Sequence, residues 1–441
     1  MTDAASLEQR FLAMLMESQY WTPAEMQAHQ RRELGHLLVH ARTKVPFYQD
    51  RLDAVFRADG SIDWDRWGEL PIVTRKDLTE RGDDLRATEI PEGHGGAVTS
   101  RTSGTSGKPV TVYSTQLAGI ALRSNRFRAY RWHGIDWGKL SVSVFGEDPD
   151  EAAWPHGTVM GPWGPSWDSR TSLGQIVRIN RLTPYDRIVE FLERKRPAYL
   201  ATGPKIGLAI ALEAERLKAH VQLEAFLPQG ANVGQLEHVT LKRAFGARTA
   251  ELYSSKEAGQ IAHGCPDEPG LHVNAESVLV EILDDDGKPC PPWQPGRVVV
   301  TPLYNTAQPL IRYAQGDTAQ WLEPCPCGRH LPRIAGVIGR STLLFHHPDG
   351  RMRSAFVPPG DRAILKCREW QIAQTGPHRF EVRYVPLDWN EPGDEARMTA
   401  RLRQVYFDDA EIGFVRAREL PSRAGKTIEY VNEWLPEGAV Q

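Results

Sequence analysis

Between residues 140 and 235 short β-prone runs alternate with amphipathic helical ones, and this alternation restricts the fold more than any other feature. SVSVFG (141–146) and AYLATG (198–203) have the length and composition of strands, while YDRIVEFLERKR (185–196) and IGLAIALEAERLKA (206–219) carry apolar residues at helical spacing. Strand–helix–strand alternation returns the chain to the same sheet by a crossover, so this segment predicts α/β layers with parallel pairing. The 441 residues are 41% hydrophobic and 25% charged, ample for a sizeable core spread over two or more domains. With 53 basic and 56 acidic residues and a net charge of −3, no global field points to nucleic acid or a membrane surface. No apolar run approaches the roughly 20 residues of a membrane span. The opening MTDAASLEQRF lacks the basic-then-apolar pattern of a secretory signal, so a cytoplasmic location is expected.

Outside that segment the patterning changes. Residues 1–90 read as a largely helical lead-in, with apolar residues at helical spacing from Ser6 to Val45 and a stop at Pro46. Thr74 is an N-cap candidate with Asp77 three residues on, an acidic form of the capping box. QLAGIALRSNRFRAYRWHG (116–134) reads as a helix. Residues 277–303 hold two β-rich runs around an Asp-Gly turn, the pattern of a hairpin. Near Gly339-Arg340 the pattern restarts, and EVRYVPL and FVRAREL supply strands for a small α+β domain over 340–441. There is no internal repeat and no low-complexity tract.

The segment Thr102-Ser103-Gly104-Thr105-Ser106-Gly107-Lys108-Pro109 carries the strongest chemical signal. Two glycines let the backbone turn its N–H groups toward a ligand, and four hydroxyls and a lysine add donors, as a polyphosphate requires. It is not the common nucleotide-triphosphatase loop, which needs a glycine at 102 and a hydroxyl after the lysine. The competing reading, a flexible Ser/Gly linker, sits poorly with the Lys-Pro pair and the strand-like TVY that follows.

TSGTSGKPV resembles the phosphate loop of the adenylate-forming enzymes (acyl-CoA synthetases, luciferases, peptide-synthetase adenylation domains), and most closely the phenylacetate-CoA ligase branch. Val45-Pro46-Phe47-Tyr48 and Leu70-Pro71-Ile72-Val73-Thr74-Arg75-Lys76-Asp77-Leu78 are similar to that branch's N-terminus, and the likeness covers nearly the whole chain. It implies an α/β fold: a large multi-layer N-terminal adenylating domain of mixed sheets and helices over 1–339, and a small mobile α+β domain over 340–441. It implies that the loop grips the β- and γ-phosphates of ATP. Tyr253-Ser254-Ser255-Lys256-Glu257 resembles the family's Tyr-Gly-x-Ser/Thr-Glu, whose tyrosine packs on adenine and whose glutamate holds Mg²⁺. Ser254 replaces the glycine and Lys256 the hydroxyl residue; Lys256 either holds the α-phosphate or an anionic substrate, or points away and leaves that role to water. Gly230-Ala231-Asn232 stands where the family has Gly-Ala-Glu beside the adenine. Ile311-Arg312-Tyr313-Ala314-Gln315-Gly316-Asp317 resembles Arg-Tyr-x-x-Gly-Asp, which makes Asp317 the acceptor for the ribose hydroxyls. Gly339-Arg340 resembles the hinge, with Arg340 reaching the nucleotide, although Thr342 stands where an aspartate is usual. Leu420-Pro421-Ser422-Arg423-Ala424-Gly425-Lys426 resembles the C-terminal catalytic loop, so Lys426 is expected at the carboxylate and α-phosphate.

Of five cysteines, Cys265, Cys325 and Cys327 lie with His272 in CPDEPGLH and PCPCG, ligand types that suit a tetrahedral Zn²⁺. The branch carries a similar arrangement, which implies a structural zinc; ordinary buried thiols are the other reading, and His263 is a competing ligand. Cys290 and Cys367 read as packing residues. Arg123, Arg126, Arg128 and Arg131 interleave with aromatics and read as a solvated helix with one aromatic face, ahead of a grip on a CoA phosphate or a carrier protein. His156, Trp163 and Trp167 lie in a Pro/Gly-rich loop where the family builds part of its acyl pocket, and packing within the loop accounts for them equally well.

The expected activity is ATP- and Mg²⁺-dependent activation of a carboxylic acid, aromatic or otherwise small, to an acyl-adenylate, followed by acyl transfer to coenzyme A. An amide- or ester-forming synthetase, or an AMP-transferring enzyme, could use the same first half-reaction. From another class, a nucleotide-binding protein without catalysis could occupy the fold. The sequence fixes neither the acid nor the oligomeric state, and a homodimer stays open.

Overall fold

A computed structural model describes residues 2–101, 110–146, 151–165, 167–168, 174–181, 183–230, 232–338, 344–349, 352–355, 357, 361–391, 393–423 and 426–434. They group into two compact units, 1–233 with 237–337, and 234–236 with 338–441.

The lead-in is helical over Thr2–Ser18 and Pro23–Lys44, then continues as 3₁₀ turns and the short helix Arg75–Glu80. The break between the two long helices lies inside the stretch expected to be continuous. Its cause is local: the Thr22 side chain caps the Glu25 N–H, Glu25 reaches back to the Thr22 N–H at 2.8 Å, and Pro23 takes the first helical position. The capping box at Thr74–Asp77 forms as expected, with the Asp77 carboxylate accepting from the Thr74 N–H at 2.8 Å.

The alternating segment builds a six-stranded sheet in the order Thr158–Pro162, Gln175–Ile179, Ser141–Val144, Tyr199–Thr202, Ala225–Pro228, Arg248–Thr249. All its pairs are parallel except the first. Ser141–Val144, Tyr199–Thr202 and Ala225–Pro228 are buried at every position, as strands covered on both faces must be. The helix Tyr185–Lys195 covers one face with Ile188, Val189, Phe191 and Leu192 buried. Burial of each such side chain contributes about 1.5–3 kcal/mol. Gly207, on the helix Pro204–Leu217, is needed for close approach, since a Cβ there would stand 2.7 Å from the Phe226 ring.

A second sheet has seven strands in the order Val278–Leu283, Gly296–Pro302, Tyr313–Leu322, Arg333–Ile338, Leu271–Val273, Gly259–Gly264, Leu252–Ser255. Its first pair is the expected hairpin, with Val278 opposite Pro302. The two strands flanking the glycine-rich loop, Ala97–Arg101 and Thr111–Thr115, pair antiparallel with Arg101 opposite Thr111. Thr115 then caps the helix Gln116–Trp132 by accepting from the Ala118 N–H at 3.1 Å.

That helix differs from its expected solvated character. Arg123, Arg126 and Arg131 are exposed, but Arg128 is fully buried and donates to Glu276, itself fully buried, at 2.6 Å. Arg128 also donates to Asn274 at 2.9 Å and Asn125 at 3.1 Å, and Ser18 donates to the same Glu276 oxygen at 2.6 Å. The helix is pinned on two sides, by the first helix and by the 274–276 segment, and the paired carboxylate is what allows a guanidinium inside.

The second unit holds a four-stranded sheet, Glu411–Arg416, Arg379–Pro386, Cys367–Gln374, Tyr430–Asn432, with a central antiparallel pair and parallel outer pairs. The helix Glu395–Val405 packs Met398 and Leu402 into its core with Trp370, Phe380 and Phe407. No helix among the described residues is long and apolar enough to cross a membrane.

Candidate functional site

The site of the first unit is assembled from segments far apart in sequence. Val73 pairs with Tyr313, and the Val73 N–H donates to the Arg312 carbonyl at 2.9 Å while the Ala314 N–H donates to the Val73 carbonyl at 2.8 Å. Arg312 itself is left-handed, with φ 53°. The strain, about 1–2 kcal/mol, is offset by a buried guanidinium that donates to the carbonyls of Gly68 and Leu70, each at 2.7 Å, and pairs with Glu281 at 3.1 Å. These contacts lock the 68–75 segment beside the strand Tyr313–Leu322.

One result is a cluster around the strand Leu252–Ser255. The Tyr253 hydroxyl donates to the Asp317 carboxylate at 2.6 Å. Burial, then the neighbouring Asp317 and Glu257 charges, holds the Tyr253 phenol well above its ordinary range, so it stays a donor. The Gln315 amide donates to the Ser255 hydroxyl at 2.9 Å, and Ser255 accepts the Ala258 N–H at 2.9 Å, fixing the turn that follows the strand. On that turn Glu257, 10% exposed, pairs with Arg75 at 3.1 Å. Thus Tyr253, Asp317 and Glu257, named from the sequence, meet in one place. Arg75, Gln315 and Ser255 were not singled out; for Arg75 the available signal was the capping box, which starts a helix and so fixes the direction of the next residue.

The other sequence-named residues fall as follows. Ser254 and Lys256 are exposed, and Lys256 makes no hydrogen bond or ion pair among the described residues. Gly230 has φ 75°, and the exposed Asn232 amide donates to the Val337 carbonyl at 2.7 Å. Trp163 donates to the Lys139 carbonyl at 3.0 Å and lies edge-on to Tyr130 and Tyr199. Trp167 packs with Leu12, Phe127 and Trp137, while His156 is exposed. Lys426 lies in the second unit, on the strand Lys426–Thr427 that pairs with Ser422–Arg423. Thr102, Ser103, Gly104, Thr105, Ser106, Gly107 and Lys108 lie outside the described residues, as do Ala231, Arg340 and Thr342.

The cysteine–histidine group converges. The ligand atoms of Cys265, His272, Cys325 and Cys327 all lie within 4.8 Å of one another. Cys265 and Cys325 sulfurs are 3.8 Å apart, and the Cys327 sulfur is 3.4 Å from His272 Nε2. A tetrahedral zinc with Zn–S of about 2.3 Å and Zn–N of about 2.0 Å asks for edges of roughly 3.8 and 3.5 Å. His272 Nδ1 faces the Leu331 carbonyl at 3.4 Å, which leaves Nε2 for a metal. Burial pushes the His272 imidazole down to about 4, keeping it neutral as a ligand must be. His263 is not in the group; it faces Gln260 at 3.1 Å. Cys290 is buried in the core of the first unit and Cys367 in that of the second, as packing residues are.

The chain has the fold of the adenylate-forming ligases. The chain is 25% identical over 328 residues to the phenylacetate-coenzyme A ligase of Thermus thermophilus, covering 72% of this chain and 71% of that one. Its fold matches a crystal structure of 2-hydroxyisobutyryl-CoA ligase in complex with an acyl-AMP, with a TM-score of 0.70 over 94% of this chain and 93% of that one at 20% identity. It also matches an amide bond synthetase of Marinactinospora thermotolerans, with a TM-score of 0.51 over 95% and 98% of the two chains at 16% identity. No family model matches the sequence.

Proposed function

We propose that the protein is an acid–CoA ligase working through an acyl-adenylate. A substrate carboxylate oxygen attacks the α-phosphorus of ATP, pyrophosphate leaves, and the resulting acyl-AMP anhydride is then attacked by the CoA thiol, releasing AMP. A free carboxylate is a poor acylating agent because its leaving group is poor; AMP supplies a better one. The meeting of Tyr253, Asp317 and Glu257 carries this reading, since it joins two nucleotide motifs 64 residues apart at 2.6 Å. Asp317 would accept the ribose hydroxyls, with Tyr253 fixing the carboxylate and packing on the adenine near Gly230, Ala231 and Asn232. Thr102 to Lys108 would neutralise the leaving pyrophosphate, and Arg340 would reach the nucleotide. Lys256, exposed and without a described partner, has the freedom to meet the α-phosphate. Glu257 would hold Mg²⁺, which supplies charge neutralisation at the phosphates. Lys426 would arrive with the mobile small domain for adenylation and withdraw for thioester formation. Cys265, His272, Cys325 and Cys327 would bind a structural Zn²⁺, tying the segment after Glu257 to the segment after Asp317.

The test is acid-dependent pyrophosphate release over aryl, short aliphatic and amino acids, with and without CoA. Release with an acid and thioester formation with CoA are expected. Release without any CoA-dependent product, but with an amide when an amine is supplied, would favour the synthetase reading. No release with any acid would remove carboxylate activation altogether.

A further inference from the structure

The second unit brings together three residues that the adenylation reading does not use. His347 follows the strand Leu344–His346, His378 sits in the turn between Cys367–Gln374 and Arg379–Pro386, and Asp409 precedes Glu411–Arg416. Their ligand atoms lie within 4.8 Å of one another. His347 Nε2 is 3.0 Å and His378 Nδ1 2.9 Å from the same carboxylate oxygen of Asp409. His347 Nδ1 lies 2.7 Å from Asp349 Oδ1, closer than the 3.3 Å approach of the Asp349 backbone N–H. His347 therefore stands between two carboxylates, with one within hydrogen-bond reach of each ring nitrogen. An ion entering between His347 Nε2 and Asp409 would keep the Asp349 carboxylate behind Nδ1, the arrangement that orients a metal-binding histidine.

We infer that His347, His378 and Asp409, with Asp349 behind His347, form a second divalent-metal site of the Zn²⁺, Co²⁺ or Ni²⁺ class, separate from the cysteine cluster. Two imidazoles and a carboxylate select borderline transition cations over Mg²⁺ or Ca²⁺. A tetrahedral ion bound at about 2.0–2.1 Å needs ligand–ligand edges of roughly 3.3 Å. The observed 2.9 and 3.0 Å therefore require an opening of only a few tenths of an ångström. His347 is held from behind as well, its ring 4.9 Å from that of Phe407 in the core of the unit. His378 and Asp409 are 39% and 46% exposed, so the ion can enter from solvent and a water can complete its shell. The site would fasten three loops at one end of the four-stranded sheet.

The experiment uses tag-free full-length protein, loaded with zinc, freed of loosely held metal with a weak chelator, and titrated with Co²⁺. The expected result is one further equivalent of Co²⁺ with visible ligand-field bands and no thiolate charge-transfer band. Loss of that equivalent is expected in His378→Ala, and an affinity weakened by about tenfold or more in Asp349→Asn. Asp388→Asn, an exposed control, should bind as the parent does. His378 is partly exposed in a turn, so its variant should keep the parental circular dichroism. Failure to bind Co²⁺ outside the cysteine cluster, or undiminished binding in His378→Ala, would overturn the proposal and leave a hydrogen-bonded Asp–His–Asp–His chain.

Discussion

Replacing Arg128 with methionine tests the account of how the helix Gln116–Trp132 is held. Both partners of the Arg128–Glu276 pair are fully buried, and Arg128 also serves the Leu15 carbonyl, Asn125 and Asn274. Methionine fills the volume but leaves Glu276 with only the Ser18 hydroxyl among its described side-chain donors. Stranding one member of a buried pair costs about 3–5 kcal/mol. A unit this size changes by about 0.7 kcal/mol per degree at its midpoint, so the loss reads as roughly 4–7 °C in a calorimetric scan. The double variant Arg128→Met/Glu276→Gln should recover at least about half of it, because the stranded charge is gone. Recovery is favoured further because Arg128 Nε and Glu276 Oε2 have no partner among the described residues even in the intact pair. Arg128→Met within about 1 kcal/mol of the parent, or a double variant no better than the single one, would refute the reasoning.

Lys426→Ala should lower acid-dependent pyrophosphate release by about 10²–10³-fold while thioester formation from supplied acyl-AMP persists; equal loss of both steps would deny it a role confined to adenylation. Cys327→Ser should lower the zinc content measured by elemental analysis and the thermal midpoint together, and a zinc content equal to the parent's would exclude the cysteine cluster as a site. Burial, outweighing the hydrogen bond from His133 to the Gly264 carbonyl, holds the His133 imidazole below its usual range. The unfolded chain takes up this proton near pH 6.5 and the folded chain only below it, so the stabilisation is complete above about pH 6.5 and erodes as pH falls. Melting curves of His133→Gln should accordingly fall less steeply than those of the parent between pH 7 and 5.

What the sequence made legible follows from the range of the interactions. The parallel strands were readable because covering both faces leaves a local apolar signature, as in Ser141–Val144 and Ala225–Pro228. The break at Thr22 was readable too, from Thr-Pro-x-Glu, but the helical period runs through it and masks the cap. Arg128 was misread as solvated because the residue that admits it to the interior, Glu276, is 148 positions away. The cysteine cluster could be named from ligand type together with its likeness to the branch's arrangement, since thiols are rare, although His263 competed with His272. His347, His378 and Asp409 could not, because isolated histidines and aspartates are common and only the loops of the folded sheet bring them together.

The N-terminal lead-in acquires a reason from the same contacts. Its 68–75 segment is fastened to Arg312 and Tyr313, and so delivers Arg75 to Glu257 at 3.1 Å. A cation thus already stands on the carboxylate proposed to hold Mg²⁺. The Arg75 side chain is 28% and Glu257 10% exposed, so the pair is partly buried. Such a contact aims the carboxylate, and the proposed Mg²⁺ would take the place of the Arg75 guanidinium on it. Tyr253 does the corresponding work at Asp317, donating to it at 2.6 Å from a buried ring. Both acidic groups of the proposed nucleotide site are therefore oriented before any ligand arrives, each by a partner from a different segment. That preorganisation is where the physical argument for adenylation rests, since a phosphoryl-type transfer asks of a protein chiefly placement and charge.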